Sequence, residues 1–228
     1  MDMTRIRDRM VEHLVTHRGI RDPGVIRAMG TVPREKFVDP GFEEYAYEDA
    51  PLSIGDGQTI SQPFIVALMI EKADLDADDK VLEVGTGSGY ASALISHIAR
   101  YVYSIERHER LALQARERFE KLGYGNIDVR VGDGSKGWAE AAPFDAIIVS
   151  AGAPEVPGAL KEQLGPGGRL IIPVGCSDAQ RLKRITHTAA ATFEEEDLGG
   201  VVFVPLIGED AWTAAHPMYT ATAPRKNK

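Results

Sequence analysis

Cysteine is nearly absent from this 228-residue sequence, which contains only Cys176. A single thiol cannot form an internal disulfide, and it cannot supply the several cysteine ligands of a Cys-based zinc site. Long apolar runs are also absent, since no stretch approaches the roughly 20 apolar residues of a membrane-spanning helix. Residues 1–20 mix charges throughout and lack the apolar core of a signal peptide. We therefore expect a cytoplasmic protein with no membrane partner.

Positive charge is scarce relative to negative charge. The chain has 26 Lys and Arg against 34 Asp and Glu, a net charge of −8. Without a basic surface to neutralise phosphates, a nucleic-acid partner is disfavoured. With 43% hydrophobic residues, the chain can bury a sizeable core in one domain with extensions. Nothing obvious in the sequence demands a dimer, so we expect a monomer.

Residues 1–79 show the pattern of a helical extension. Apolar residues over 6–15 recur at helical spacing. Asp22-Pro23 then supplies an N-cap and a first-turn proline for a second, short helix. Another turn of helix is expected over 32–38, where we interpret Arg34 and Lys36 as surface charges. We expect this extension to pack on the domain that follows.

A long segment over 39–61 closes the extension. It is punctuated by prolines and glycines, which predicts a loop, but its aromatic and apolar side chains indicate that the loop is ordered. Ser61 stands where an N-cap would begin a helix over 63–72.

From Lys80 to about residue 210 the pattern changes to alternating strands and helices. This alternation predicts an α/β fold with a doubly wound, mostly parallel sheet covered on both faces. Three late strands, with no long helix between some of them, suggest an antiparallel edge. Residues 211–228 have no periodicity and are expected to form a loose tail. The predicted strands cover 80–84, 101–105, 127–131, 144–150, 169–174, 182–188, 192–196 and 201–205, and the helices 90–99, 109–122 and about 157–164.

A glycine-rich segment over Val81–Gly89 dominates the strand–helix region. An apolar strand runs into Gly85, Gly87 and Gly89, and a helix follows. Such a strand–turn–helix unit lets a ligand approach the backbone closely and presents free N–H groups at the helix start. The spacing is G-x-G-x-G rather than G-x-G-x-x-G, which disfavours a dinucleotide and favours another adenosine cofactor.

Three acidic residues lie in or after successive strands: Glu83, Glu106 and Asp133. Ligands of doubly wound sheets bind outside the carboxyl ends of the strands. An acidic residue about 20 residues after the glycines can accept hydrogen bonds from the ribose hydroxyls. Glu106 stands at that position. Asp133 could accept a hydrogen bond from an adenine amino group. Asp145, which begins a later strand, is more simply explained as a turn or capping residue.

The segment Glu83–Gly89, with an acid ending the next strand, resembles class I S-adenosylmethionine-dependent methyltransferases. Further segments narrow the resemblance to the protein-L-isoaspartate O-methyltransferase family, over about Arg5 to Gly208. The most specific is Gln58-Thr59-Ile60-Ser61-Gln62-Pro63. The resemblance implies a seven-stranded Rossmann-like sheet. The segments that carry it are 32–38, 54–63, 131–134, 142–149, 164–175 and 203–206.

This resemblance implies methyl transfer from S-adenosylmethionine to the α-carboxylate of L-isoaspartyl residues in damaged proteins and peptides, which initiates repair. Ser61 is implied as the catalytic residue, and no metal is implied. Gln58, Thr59 and Ile60 are implied to line the methyl-transfer region. The other implied cofactor-binding residues are Glu83, Gly85, Gly87, Ser88 and Gly89 toward the methionine part and glycine loop, Glu106 at the ribose, and Asp133 with Gly134 at the adenine.

The chemistry is consistent with these residue types. A carboxylate is already ionised at neutral pH and needs no general base. The remaining task is to align oxygen, methyl carbon and sulfur at roughly 3–3.5 Å. The Ser61 hydroxyl could orient the acceptor, with N–H groups at the helix start favouring the anion, or Ser61 could be a plain N-cap. Departures from the family pattern include Phe64, where some relatives carry histidine, and Ile207, where some carry threonine.

Two other functions remain open at this stage. The same cofactor could serve a carboxyl methyltransferase acting on an aspartate of a different peptide. A non-catalytic, cofactor-binding relative could act as an interaction module, although the intact Thr59-Ile60-Ser61 disfavours it. A metal held by His13 and His17 at i, i+4 is less favoured than an ordinary solvated helix face.

Overall fold

A computed structural model describes residues 2–176, 178–188 and 192–213. Most of the predicted tail, from 214 onward, lies outside these residues. Its described beginning pairs with the preceding chain, because Trp212 donates its N–H to Leu206 (3.0 Å) and accepts from Gly208 (3.1 Å). Within the described ranges, the helices are all too short or too polar to cross a membrane.

The N-terminal extension begins with two helices, α1 (Met3–Thr16) and α2 (Pro23–Thr31). As predicted, Asp22 caps α2, and its carboxylate accepts a hydrogen bond from the Val25 N–H at 2.7 Å. Short 3₁₀ turns follow at Arg34–Lys36 and Glu43–Tyr45.

A β-hairpin occupies the end of the segment that was predicted to be loop. Strand β1 (Leu52–Gly55) pairs antiparallel with β2 (Gln58–Ile60). Asp56 and Gly57 both adopt positive φ, 50° and 70°. These values are typical of the type I′ turn that joins tight hairpins, for which Asp-Gly is a favoured sequence. The Asp-Gly pair was therefore the signal that could have predicted this hairpin.

Helix α3 (Pro63–Ala73) follows the hairpin and leads into the sheet region. The prediction that Ser61 is its N-cap is wrong. Gln62 occupies the cap position and makes no side-chain capping bond. Proline at the first helical position accounts for the start, since its fixed φ suits that position and its missing N–H costs nothing there.

The main sheet confirms the predicted α/β, doubly wound, mostly parallel fold with seven strands. Its order along the sheet is β5-β4-β3-β6-β7-β8-β9, and only β8 runs against the others. The predicted antiparallel edge is therefore also confirmed. The strands are β3 (Lys80–Val84), β4 (Tyr101–Glu106), β5 (Ile127–Val131), β6 (Phe144–Val149), β7 (Leu164–Cys176), β8 (Ala179–His187) and β9 (Phe193–Val201), with helices α4 (Tyr90–Ser96), α5 (Glu109–Leu122) and α6 (Gly158–Glu162).

The late strands differ from prediction in number. Two strands stand where three were predicted, because β9 continues through Gly199 and Gly200 instead of breaking there. The register shifts between Leu182 and Lys183, where Leu198 is the extra residue of a bulge, and Gly199 and Gly200 remain paired with Leu182 and Arg181. Residues 202–205 then leave the sheet. Helices α4 and α6 are also shorter than predicted, and β7 includes the glycine-rich run at its start.

The two faces of the sheet bury separate apolar clusters. On β6, Ala146 and Ile148 face one cluster, whereas Ile147 and Val149 face the other. Successive residues of a strand point to opposite faces, so a strand covered on both sides is apolar throughout. This pattern explains why β3 and β6 form the centre of the fold. The break in strand order between them is the switch point at which ligands of such sheets bind.

Arg169 ties several elements together at the opposite end of the sheet from that switch point. From β7 its guanidinium donates to the carbonyls of Ala73 (2.7 Å) and Asp145 (3.1 Å). It also pairs with the Asp79 carboxylate at 2.8 Å, and both side chains are largely buried. The Asp145 carboxylate accepts from the Lys80 N–H at 2.8 Å, so its predicted capping role is confirmed.

We expect Arg169→Met to lower the free energy of unfolding by about 3 kcal/mol, because it leaves a largely buried carboxylate and carbonyls without their donor. Urea denaturation measures this loss. The matched control is Arg181→Met, which removes an exposed ion pair with Asp197 at 2.8 Å and should leave the free energy of unfolding nearly unchanged. Equal losses in the two variants would contradict the structural role assigned to Arg169.

Candidate active site

A cleft of about 780 Å³ opens at the carboxyl ends of β3, β4 and β6. One wall comes from the end of the hairpin and the residue after it, and the other from the glycine-rich segment. Ten of the twelve residues predicted from sequence for the site line it: Gln58, Thr59, Ile60, Ser61, Glu83, Gly85, Gly87, Ser88, Glu106 and Gly134. Gly89 and Asp133 are not among the lining residues.

The glycine-rich segment is held in place by hydrogen bonds to β4. Gly85 donates its N–H to the Ile105 carbonyl at 2.8 Å. Gly89 lies deeper, at the N-cap of α4 with φ 89°. A Cβ at Gly89 would lie 2.6 Å from Cζ of Phe119, so glycine is required there for close packing of α4 against α5. Gly89 therefore allows the glycine-rich turn to pack against α5 and does not line the cleft.

Glu106, at the end of β4, is nearly buried and lines the cleft. One carboxylate oxygen accepts from the Gly87 N–H at 2.8 Å, and the other from the His108 N–H at 2.9 Å. Each carboxylate oxygen has roughly two acceptor sites, so one on each remains for a hydroxyl donor. The arrangement suits a vicinal diol.

Glu83 is the most deeply enclosed carboxylate of the cleft. Its Oε2 accepts hydrogen bonds from the hydroxyls of Ser92 and, at 2.7 Å, Ser104. Its Oε1 is buried and has no partner within the described residues. Burial raises the pKa of Glu83 to about 7, although the two serine hydroxyls act in the opposite direction. A buried acceptor without a donor in the cleft wall fits a ligand that brings a cationic donor.

Asp133 binds the segment that follows Ile207 and is not among the residues that line the cleft. Its Oδ1 accepts from the Ser135 hydroxyl at 2.7 Å, and its Oδ2 from the Glu209 N–H at 2.9 Å. Burial acts to raise the pKa of Asp133, but these bonds outweigh it and lower the pKa. An adenine amino group would have to share this carboxylate with Ser135 and Glu209. The adenine role stays a prediction.

Ser61 lies between β2 and α3 and faces the cleft. Its hydroxyl makes no hydrogen bond to the described part of the chain, whereas its carbonyl accepts from Arg34 Nη2 at 2.8 Å. The backbone of Ser61 is therefore held from inside the protein and its side chain is available to a ligand.

The start of α3 offers fewer free N–H groups than were predicted to favour an anion. Pro63 has no N–H, and the N–H of Phe64 donates to the Asp49 carboxylate at 3.1 Å. Asp49 also binds Arg18 at 2.9 Å, and the Arg18 guanidinium lies over the Phe64 ring, 4.9 Å from its centroid. Phe64, which departs from the family pattern, therefore packs against Arg18, which follows α1.

Arg34 is buried, which contradicts its interpretation as a surface charge. None of its surface is exposed, and its Nε donates to the Ala46 carbonyl at 2.6 Å. Its guanidinium lies over the Tyr90 ring, 4.7 Å from the centroid. The only sequence signal was its position among apolar residues such as Val32 and Phe37, which are themselves fully buried. The charge of Arg34 by itself predicted an exposed side chain, since charged side chains are rarely fully buried.

The segment Val204–Ile207 forms a further wall of the cleft, and sequence reasoning singled out only Ile207 in it, as a departure from the family pattern. Val204 and Pro205 were predicted as the end of a strand. Instead, the Gly152 N–H donates to the Val204 carbonyl and the Leu206 N–H to the Gly152 carbonyl, both at 2.8 Å. Ile207, the second departure from the family pattern, therefore faces the cleft.

A wider groove of about 1870 Å³ adjoins the cleft. The two share Thr59, Ser61, Ser150 and Val204 in their walls. The outer wall of the groove is formed by β8 residues and by the segment after β9, where Val202 is 72% exposed. Ser61 thus stands at the junction of the cleft and a broader, open groove.

The two histidines considered as metal ligands are exposed and stack on each other, with ring centroids 4.9 Å apart. Across the described ranges, His, Cys, Asp and Glu side chains form no group of three or more that could hold a metal ion. The contacts of His13 and His17 are those of a solvated helix face.

Comparison with known proteins gives one consistent family. The family model described as protein-L-isoaspartate(D-aspartate) O-methyltransferase matches residues 5–211. A relative of that name from Brucella anthropi is 60% identical over 209 residues, 91% of this chain and 96% of the relative. Another from Protochlamydia amoebophila is 53% identical over 204 residues, 89% of this chain and 97% of the relative.

Solved structures show the same likeness. One described as a protein-L-isoaspartate O-methyltransferase matches with a TM-score of 0.82 at 31% identity, covering 90% of this chain and 67% of that chain. A second, a Plasmodium falciparum protein described as a putative member in complex with S-adenosyl-L-homocysteine, matches with a TM-score of 0.77 at 29% identity. It covers 88% of this chain and 98% of that chain.

The buried Glu83 carboxyl predicts a pH dependence of stability. Its folded pKa of about 7 lies above the ordinary 4.5, so its contribution is fully present below about pH 4.5 and is lost as pH rises through about 7. Between pH 5 and pH 8 this loss should be about 2–3 kcal/mol. Urea denaturation across that range should show a steeper decline in the native protein than in Glu83→Gln. Parallel declines would contradict the assignment.

Proposed function

The chain belongs to the protein-L-isoaspartate(D-aspartate) O-methyltransferase family, and from this premise we propose what it does with the cleft. It transfers the methyl group of S-adenosylmethionine to the α-carboxylate of L-isoaspartyl residues in damaged proteins and peptides. One observation carries the proposal: Gln58–Ser61 and the glycine-rich segment, which belong to separate parts of the chain, line a single cleft.

The donor side of the cleft fits S-adenosylmethionine. When bound, the cofactor supplies a methyl group that its positively charged sulfur has already activated. The unpartnered Oε1 of Glu83 would accept from the ammonium of the methionine part. The remaining acceptor sites of Glu106 would take the two ribose hydroxyls. Gly134, in the lining of the cleft, would lie against the adenine.

The acceptor side requires positioning rather than proton transfer. The isoaspartyl carboxylate is ionised at neutral pH and is itself the nucleophile. The chain's task is to hold one of its oxygens in line with the methyl group, which is the geometric contribution to catalysis. The free hydroxyl of Ser61 would donate to the other oxygen and fix its orientation. Thr59, which lines both the cleft and the groove, would support the same group.

The groove beside Ser61 would hold the peptide on either side of the damaged residue. It is broad and open, which suits a substrate that enters as an extended chain. The methyl ester produced is a better leaving group than the carboxylate. The succinimide can therefore re-form and reopen to a normal aspartate, which makes the reaction a repair step.

The broader setting of the enzyme is also proposed. Residues 1–79 carry the acceptor side and 80–210 the cofactor side, with 211–228 as a tail. We propose that the protein works in the cytoplasm as a monomer and binds no nucleic acid. The net charge of −8 supports the last point, since it opposes phosphate binding.

The proposal is tested with radiolabelled S-adenosylmethionine and two peptides that differ only in one isoaspartyl or aspartyl residue. Base-labile label should appear on the isoaspartyl peptide alone, because only the isoaspartyl residue has a free α-carboxylate to accept the methyl group. Label on both peptides would favour a carboxyl methyltransferase that accepts ordinary aspartate. Label on neither, with cofactor binding retained, would favour a non-catalytic relative.

Ser61→Ala should lower kcat about tenfold or more, because one orienting hydrogen bond to the acceptor is lost. Affinity for S-adenosylhomocysteine, measured by calorimetry, should remain within about threefold of the native value, since the hydroxyl makes no contact on the donor side. Ser53→Ala, on the exposed part of β1, serves as the control. A large loss of cofactor affinity in Ser61→Ala would instead place Ser61 in the cofactor pocket.

A further inference from the structure

Arg34 connects three parts of the chain from inside the protein. Its Nε donates to the carbonyl of Ala46, and its Nη2 donates to the carbonyl of Ser61. Its guanidinium lies over the ring of Tyr90, the first residue of α4. Tyr90 and Ser61 both line the cleft, whereas Arg34 is not among the lining residues. A single buried cation thus spans the acceptor segment and the helix that follows the glycine-rich segment.

Burying a guanidinium in this position is energetically costly. Burial lowers the pKa of Arg34, which shows that the surroundings oppose its charge. Both hydrogen bonds go to backbone carbonyls, and Nη1 is buried with no partner in the described part of the chain. A well-packed apolar side chain of similar volume often stabilises a fold at least as well as such a buried charge. What distinguishes Arg34 from a purely structural arginine such as Arg169 is that one of the carbonyls it holds belongs to Ser61, in the wall of the cleft.

We propose that Arg34 is a positioning residue for methyl transfer, which fixes the backbone of Ser61 relative to the donor side of the cleft. This inference rests on the proposed function, since the placement of Ser61 matters for catalysis only if the acceptor binds there. Arg34 acts through the Ser61 carbonyl and touches neither substrate nor cofactor. A displacement of about 1 Å at a reacting group can cost about a hundredfold in rate.

The geometry requires arginine rather than lysine. A guanidinium is planar and presents donors in a fixed fork, so it can bind two carbonyls while its face stacks on an aromatic ring. A lysine ammonium is a compact charge on a flexible stem and cannot hold both carbonyls and the ring in this arrangement. The conservative substitution is therefore an informative test.

The experiment compares Arg34→Lys and Arg34→Gln with Arg169→Lys. Arg169 is the matched control, because it is also largely buried and also holds backbone carbonyls, but at the opposite end of the sheet. With an isoaspartyl peptide, both Arg34 variants should lose about tenfold or more in kcat. Their KM for the peptide and their affinity for S-adenosylhomocysteine should change less than about threefold. Arg169→Lys should lose stability while kcat stays within about threefold of the native value.

Two features keep the test decisive. Arg34→Gln has no buried charge and should fold even where an unsatisfied lysine at residue 34 does not. Hydrogen–deuterium exchange then reports on how firmly the backbone around Ser61 is held, independently of activity. The exchange rate over 58–65 should rise about tenfold in Arg34→Gln, and the rate over 81–89 should stay unchanged. Native kcat in both Arg34 variants, or unchanged exchange over 58–65, would overturn the inference. Inactivity of the native enzyme on the isoaspartyl peptide would instead overturn the proposed function, and exchange would still decide whether Arg34 holds Ser61.

Discussion

Strand β3 pairs in parallel with β4 on one side and with β6 on the other, and the cleft depends on this arrangement. Parallel strands bring their carboxyl ends to one edge of the sheet, so residues far apart in sequence meet there. Gly85 donates to the carbonyl of Ile105, and Ser150 to the carbonyl of Val84. These bonds extend the strand pairing into the loops and place the glycine-rich segment and Glu106 on the same side of the cleft.

Two buried ionisable side chains, Glu83 and Arg34, are linked to this cleft. Glu83 lies in β3, within the glycine-rich segment. One of its oxygens accepts from serine hydroxyls, and the other has no donor within the described residues. Arg34 lies in the N-terminal extension, bonded to backbone carbonyls. Both are costly to bury in the charged form, and in the part of the chain that the structure describes neither forms an ion pair. Their placement is consistent with functional demands on the donor and the acceptor side respectively.

Much of the sheet region was predictable because its signals are local. The apolar runs of β3 and β6 and the capping glycine after α5 follow from periodicity and turn chemistry. The hairpin was equally local, yet it was missed because the surrounding prolines and glycines indicated loop and outweighed Asp56-Gly57. The extension of β9 through Gly199 was not predictable in this way. It depends on a bulge that lets pairing with β8 continue.

The sequence by itself determined the fold class and the cofactor segment, because strand, turn and helix signals are local to short runs of residues. It indicated the acceptor segment only through the resemblance of Gln58–Pro63 to a family motif. Only the tertiary structure decided where the charges lie. Arg34 binds carbonyls 12 and 27 residues away, and Asp133 binds an N–H 76 residues away. A side chain's charge says nothing about such partners, since burial of a polar group is settled by what the rest of the chain brings to it. The cleft is therefore a property of the packed molecule, assembled from segments that the sequence identified only one at a time.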